Sequence, residues 1–113
     1  MSIGVDIVRI ERLNLNREKD GKFLSDIFTE KELDYCYSKK AHAIHLAGKF
    51  AAKEAIIKAL WSLDITDKSP GKIEILNNEK GIPRAHVEGC DNLNIEVSIS
   101  HDGDYAIAFA TIR

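Results

Sequence analysis

A chain of 113 residues suffices for one domain with a modest core, and 44% hydrophobic against 30% charged residues excludes extended disorder. The formal net charge of −2 excludes indiscriminate nucleic-acid binding, so any basic surface must be a local patch. Cys36 and Cys90 fit no metal-ligand spacing and no disulfide framework.

Ile3, Val5 and Ile7 alternate with Gly4 and Asp6, which predicts a strand near the N-terminus. Asp6 then lies on the face opposite the isoleucines, flanked by Gly4 and Val8. Aspartate is a poor strand former, so its place asks for a reason. It either caps a solvated sheet edge or forms half of a carboxylate pair with Glu54. Arg9, Arg12 and Arg17 follow, and residues 14–22 are polar, a loop or a frayed helix. Phe23, Leu24, Ile27 and Phe28 give a short helical pattern. Thr29 and Glu32 then match a capping box opening a second helix to about Ser38, which should bury Leu33 and Tyr37.

The long stretch from near His42 to near Leu63 organises the rest. Leu46, Phe50, Ile57 and Trp61 draw one apolar stripe on a 3.6-residue helix, and Glu54 falls inside it. A carboxylate there must be paired, protonated or bound to a cation. Ala43, Ala47, Ala51, Ala55 and Ala59 form a smooth ridge for close packing. Lys49 and Lys53, with His42 and His45 one turn earlier, read as a cationic stripe, and Lys58 lies one turn after Glu54. The ordinary reading is a solvated lysine face and an intrahelical Glu54–Lys58 pair. The sharper one is a metal ion with phosphates.

Residues 64–71 hold Asp, Ser, Pro and Gly and predict a loop. Residues 72–76 alternate as a strand, 77–81 turn, and 82–87 form a second strand with Pro83 near its start. After a turn at 89–92, Ile95, Val97 and Ile99 alternate with Glu96, Ser98 and Ser100. Asp102-Gly103 signals a hairpin whose return strand is 105–112. The expected fold is α+β: an N-terminal strand, a long central helix and an antiparallel meander. No apolar run is long enough to cross a bilayer and no signal peptide opens the chain, so a cytoplasmic protein is expected.

Asp6, Glu54 and the lysines suit Mg²⁺ that also holds substrate phosphates, because Mg²⁺ keeps few protein ligands. His101 can donate to another phosphate or move a proton. The combination resembles the holo-acyl-carrier-protein synthases, small 4′-phosphopantetheinyl transferases. Residues 4–12 (GVDIVRIER) are similar to their opening pattern and 28–33 (FTEKEL) to the segment after it. Residues 47–59 (AGKFAAKEAIIKA) are very close to their central helix motif, and 78–83 (NEKGIP) and 97–101 (VSISH) complete the order.

The resemblance implies one transferase domain over residues 1–113. It would move the 4′-phosphopantetheine arm of coenzyme A onto a serine of an apo acyl carrier protein, releasing adenosine 3′,5′-bisphosphate. It also implies that Asp6 and Glu54 are the Mg²⁺ carboxylates and that Lys49, Lys53 and Lys58 face phosphates. His101 would stand near the nucleotide phosphates, Gly81 and Pro83 would shape the nucleotide pocket, and Arg12 would meet the carrier protein, with Arg17 beside it. Proteins of this type usually form trimers with the site between subunits, so the resemblance implies a homotrimer. Two departures stand out. Position 49 is Lys where the family commonly has Arg, and residues 62–67 replace a glycine-rich loop. The alternative is a module that binds coenzyme A or carrier protein without turnover, which would not need both Asp6 and Glu54. Independently of the resemblance, Ile107 and Phe109 alternate with Ala106, Ala108 and Ala110, so both faces of the last strand are apolar. One face is covered by the alanine ridge, and the other predicts a homo-oligomer.

Overall fold

The computed structural model describes residues 1–113. Its strands are β1 (Ser2–Arg9), β2 (Ile73–Asn77), β3 (Pro83–Val87), β4 (Ile95–Asp102) and β5 (Tyr105–Ile112). Its helices are α1 (Gly21–Ile27), α2 (Glu30–Tyr37) and α3 (His42–Trp61), with single 3-10 turns at Ile10–Leu13 and Pro70–Lys72. The architecture is mixed helix and antiparallel sheet, as expected. No helix is long and apolar enough to cross a membrane.

The strands fall into two sheets rather than one continuous meander. β5 is the centre of a three-stranded antiparallel sheet in the order β1-β5-β4, and β2 pairs with β3 in a separate hairpin. Register places Val5 opposite Phe109 and Asp6 opposite Ala108. The β4–β5 loop is Gly103-Asp104, one residue later than the Asp-Gly signal, because Asp102 still pairs with Tyr105. Gly103 supplies the positive φ (56°) at the first loop position.

α3 is the axis of the molecule, lying against β1, β5 and β4 on one side and against α2 and β2 elsewhere. Twelve of its 20 residues are buried. That explains why one apolar stripe is a poor description of it. Leu46 and Ile57 are buried and Phe50 half-buried, but Trp61 is 54% exposed at the helix end, where the chain turns away. The alanine ridge behaves as expected: Ala47, Ala51, Ala55 and Ala59 have no exposed surface. The sheet meets it with Gly4, Ala106, Ala108 and Ala110, so the two layers approach closely. A Cβ on Gly4 would lie 1.9 Å from the Ala55 carbonyl oxygen, so nothing larger than glycine fits.

The capping box forms, with the Thr29 hydroxyl accepting from Glu32 N and Glu32 Oε1 accepting from Thr29 N at 2.8 Å. Such caps contribute about 1 kcal/mol. Leu33 and Cys36 are buried, while Tyr37 is half-buried and donates its hydroxyl to the Leu15 carbonyl. After α3, where the resemblance leads one to expect glycines, the turn is closed by Asp64 at φ 60°. Aspartate is among the few residues that accept that conformation without glycine's freedom.

Candidate active site

The structure gathers the expected site residues into two groups and leaves two of them elsewhere. The first group is a carboxylate corner. β1 turns Gly4, Asp6 and Val8 toward α3 and its bulky residues Ile3, Val5 and Ile7 outward, the pattern that strand period 2 dictates. The glycine-tight contact at Gly4 brings Asp6 to the helix. There Lys58 Nζ lies 3.2 Å from Asp6 Oδ1 and donates to the Val5 carbonyl at 3.0 Å. Glu54 is half-buried one turn before Lys58. Burial, and then the charge of Asp6, push its carboxyl above the ordinary range, while Lys58 and Arg12 pull it back. Arg12 stands on the same corner, its guanidinium 5.7 Å from the centre of the Phe50 ring.

No group of three or more His, Cys, Asp and Glu side chains is arranged to hold a metal. The corner therefore offers no all-protein cage. It offers two carboxylates near enough for one to raise the other's proton affinity, with a lysine drawn onto one of them. That donor set fits a hard divalent cation whose other positions are filled by water or phosphate oxygens.

The second group lines a cavity of about 320 Å³ beside the N-terminal half of α3. Lys49, Gly81, Pro83 and His101 all border it, together with Tyr35, His45 and Asn77. Gly81 adopts φ 80°, which the turn between β2 and β3 requires of it. Burial, and then the neighbouring Lys39, Lys49 and His101 side chains, hold the His45 imidazole below its usual range. Lys39 and Lys49 both place their ammonium groups over the Tyr35 ring, at 4.9 and 4.8 Å. A cavity bordered by two histidines and Lys49, with no carboxylate on its walls, suits an anionic ligand.

The lysine stripe is not a solvated face. Lys49 is 3% exposed and Lys53 has no exposed surface at all. Lys49 Nζ donates to the Ile75 carbonyl at 2.6 Å and to Asn77 Oδ1 at 2.8 Å, which leaves one of its three donors for the cavity. Lys53 is spent entirely inside the protein. It pairs with Glu32 at 2.8 Å and donates to the Pro70 and Ile73 carbonyls. Its expected phosphate-facing position gives way to a structural one, because Glu32 and the start of β2 enclose its head. Arg17 is also engaged, held 3.0 Å from Glu30 and 2.7 Å from Asp34 on the surface of α2.

Sequence reading missed Glu32 as a buried carboxylate, along with Tyr35 and Asn77. The capping box singled out Glu32 but explained it fully by local contacts. Nothing local could show that its Oε2 accepts from Ile75 N, 43 residues away, at 2.7 Å.

Residues 2–110 match the family model described as the 4′-phosphopantetheinyl transferase superfamily. A holo-[acyl-carrier-protein] synthase of Thermodesulfovibrio yellowstonii is 46% identical over 112 residues, covering 97% of this chain and 96% of the relative. That of Chlorobium limicola is 44% identical over 118 residues, 99% of this chain and 93% of the relative. The crystal structure of the Helicobacter pylori holo-[acyl-carrier-protein] synthase in complex with coenzyme A superposes with a TM-score of 0.80 at 32% identity, covering 98% of this chain and 99% of that one. The ACPS-CoA complex of Chronobacterium ammoniagenes gives 0.79 at 31% identity, covering 99% and 96%. These likenesses span the whole fold, both groups of site residues included.

Proposed function

We propose that this chain, which belongs to the 4′-phosphopantetheinyl transferase superfamily and is a transferase of the holo-acyl-carrier-protein synthase kind, moves the 4′-phosphopantetheine arm of coenzyme A onto a serine of an apo acyl carrier protein. The released product is adenosine 3′,5′-bisphosphate, and the reaction depends on Mg²⁺. The observation that carries this reading is the corner where Asp6 of β1 meets Glu54 and Lys58 of α3. A binding module without turnover has no use for two carboxylates whose proximity works against ionisation.

The serine oxygen attacks the phosphorus that bears the pantetheine arm, and the bond from that phosphorus to adenosine 3′,5′-bisphosphate breaks. Such in-line transfer gains mainly from positioning and from neutralising charge. Asp6 and Glu54 would hold Mg²⁺, which when bound supplies charge neutralisation for the diphosphate. Lys58, anchored on the Val5 carbonyl, keeps a further cation at the same corner. The cavity bordered by Lys49, Gly81, Pro83 and His101 takes the nucleotide end of coenzyme A. Arg12, exposed beside Glu54, meets the carrier protein; Arg17 contributes less because Glu30 and Asp34 already neutralise it.

We place the complete site between subunits of a homotrimer. Ile3, Val5 and Ile7 on β1 and Ile107 and Phe109 on β5 form one exposed apolar face, with Val5 and Ile7 paired to Phe109 and Ile107. A contiguous apolar sheet face of that kind marks an interface. The proposal is tested by incubating the protein with coenzyme A and apo carrier protein and quantifying nucleotide by chromatography. Adenosine 3′,5′-bisphosphate should appear in equal amount to holo carrier and cease when Mg²⁺ is chelated. Hydrolysis of coenzyme A without modified carrier would overturn it.

A further inference from the structure

The turn between β2 and β3 is organised in two separable ways. Its shape is set internally: Asn78 N donates to the Ile82 carbonyl, and Gly81 N donates to the Asn78 carbonyl. Asn78 Oδ1 also accepts from Lys80 N and Ile82 N. All of these bonds lie within residues 78–82, so they fix the loop's form and say nothing of where it stands relative to α3. Beyond the ladder of β2 and β3, one side chain ties it to α3. Asn77 Oδ1 accepts from Lys49 Nζ at 2.8 Å, and Asn77 Nδ2 donates to the Gly81 carbonyl at 3.0 Å. Lys49 is itself fixed to Ile75 at 2.6 Å and is almost fully buried, so it is a firm post for Asn77 to hold.

Lys49, Asn77, Gly81 and Pro83 all border the same cavity. The amide of Asn77 thus accepts on the helix side and donates on the turn side, from two separate atoms of one side chain. We infer that Asn77 is a positioning residue, clamping the 78–82 turn to α3 so that the Gly81 and Pro83 wall is already in place when the nucleotide end of coenzyme A arrives. The inference rests on the reading that this cavity takes coenzyme A. A wall that must be ordered on binding lowers affinity rather than the rate of a bound complex.

Two variants test the clamp, each read in two ways. Asn77→Ala removes both bonds and should raise KM for coenzyme A by about tenfold while kcat and KM for the carrier protein stay close to wild type. Amide hydrogen exchange on the ligand-free protein should quicken at residues 78–82 and remain unchanged in α3 and β5. Asn77→Asp keeps an acceptor for Lys49 but lacks the amide donor, and should free the turn in exchange as alanine does. Wild-type exchange at the turn in both variants, or exchange quickened across α3 with kcat and both KM values altered together, would overturn the clamp. Failure of the wild-type protein to use coenzyme A would instead count against the cavity assignment, and the exchange result would still decide the clamp.

Discussion

Glu32 and Lys53 lie 2.8 Å apart, carboxylate oxygen to ammonium nitrogen, and neither side chain has any exposed surface. Breaking such a pair from one side strands a buried charge, a loss of about 3–5 kcal/mol. Lys53→Met should therefore unfold at much lower urea than wild type. Replacing both residues, in Glu32→Leu with Lys53→Met, should not restore stability, because Thr29 N and Ile75 N would lose their acceptor at about 1–3 kcal/mol each. Wild-type stability in Lys53→Met, with activity lost at saturating coenzyme A, would return Lys53 to the catalytic site.

Glu54 carries a pH-dependent cost to stability. Its folded carboxyl holds a proton above the ordinary value of 4.5, chiefly through burial and then through Asp6. Between the unfolded value and the raised folded one, the folded state binds more protons, so stability falls as pH rises through that window. Glu54→Gln removes the effect. Its melting temperature should match wild type below pH 4.5 and exceed it increasingly toward neutral pH, while turnover falls by about 100-fold or more. A stability difference independent of pH would mean that neither burial nor Asp6 raises the Glu54 carboxyl.

Arg12 and Arg17 look alike in sequence and differ in the fold, one exposed beside Glu54 and the other clamped between Glu30 and Asp34. Arg12→Ala should raise KM for the carrier protein by about tenfold and Arg17→Ala by much less, a difference of roughly one desolvated charge contact. Added salt should raise KM for the carrier more than for coenzyme A, since steering is screened beyond about 8 Å. Equal responses of the two arginines would contradict this.

The outward face of β1 and β5 carries Ile7 at 59% exposure and Phe109 at 46%. Sedimentation equilibrium at micromolar concentration should find a trimer, and Phe109→Lys should shift it toward monomer with loss of activity, because a desolvated lysine is costly at an interface. A monomeric, fully active wild-type protein would exclude assembly as part of the site.

What sequence made legible was local. The Thr29–Glu32 capping box, the alanine ridge and the β4–β5 hairpin all rest on spacings of four residues or fewer, and all three form. Pairings across the chain were not legible. β1 joins β5 at the far end of the sequence, and Glu32 reaches β2, which turned the lysine stripe of α3 inward. Asp6 and Glu54 were readable because each breaks a local preference, aspartate in a strand and glutamate in an apolar stripe. Asn77 breaks none, since an asparagine at the end of a strand looks like any turn residue.

We propose that the corner of Asp6, Glu54 and Lys58 carries transfer of the pantetheine arm. Intact-mass spectrometry of apo carrier protein, incubated with coenzyme A, Mg²⁺ and either wild-type protein or Asp6→Asn, tests it most directly. Wild type should convert the carrier serine completely to its phosphopantetheinyl form, and a folded Asp6→Asn protein should convert almost none in the same time. Equal conversion by the two would contradict it, as would wild-type protein that leaves the carrier mass unchanged.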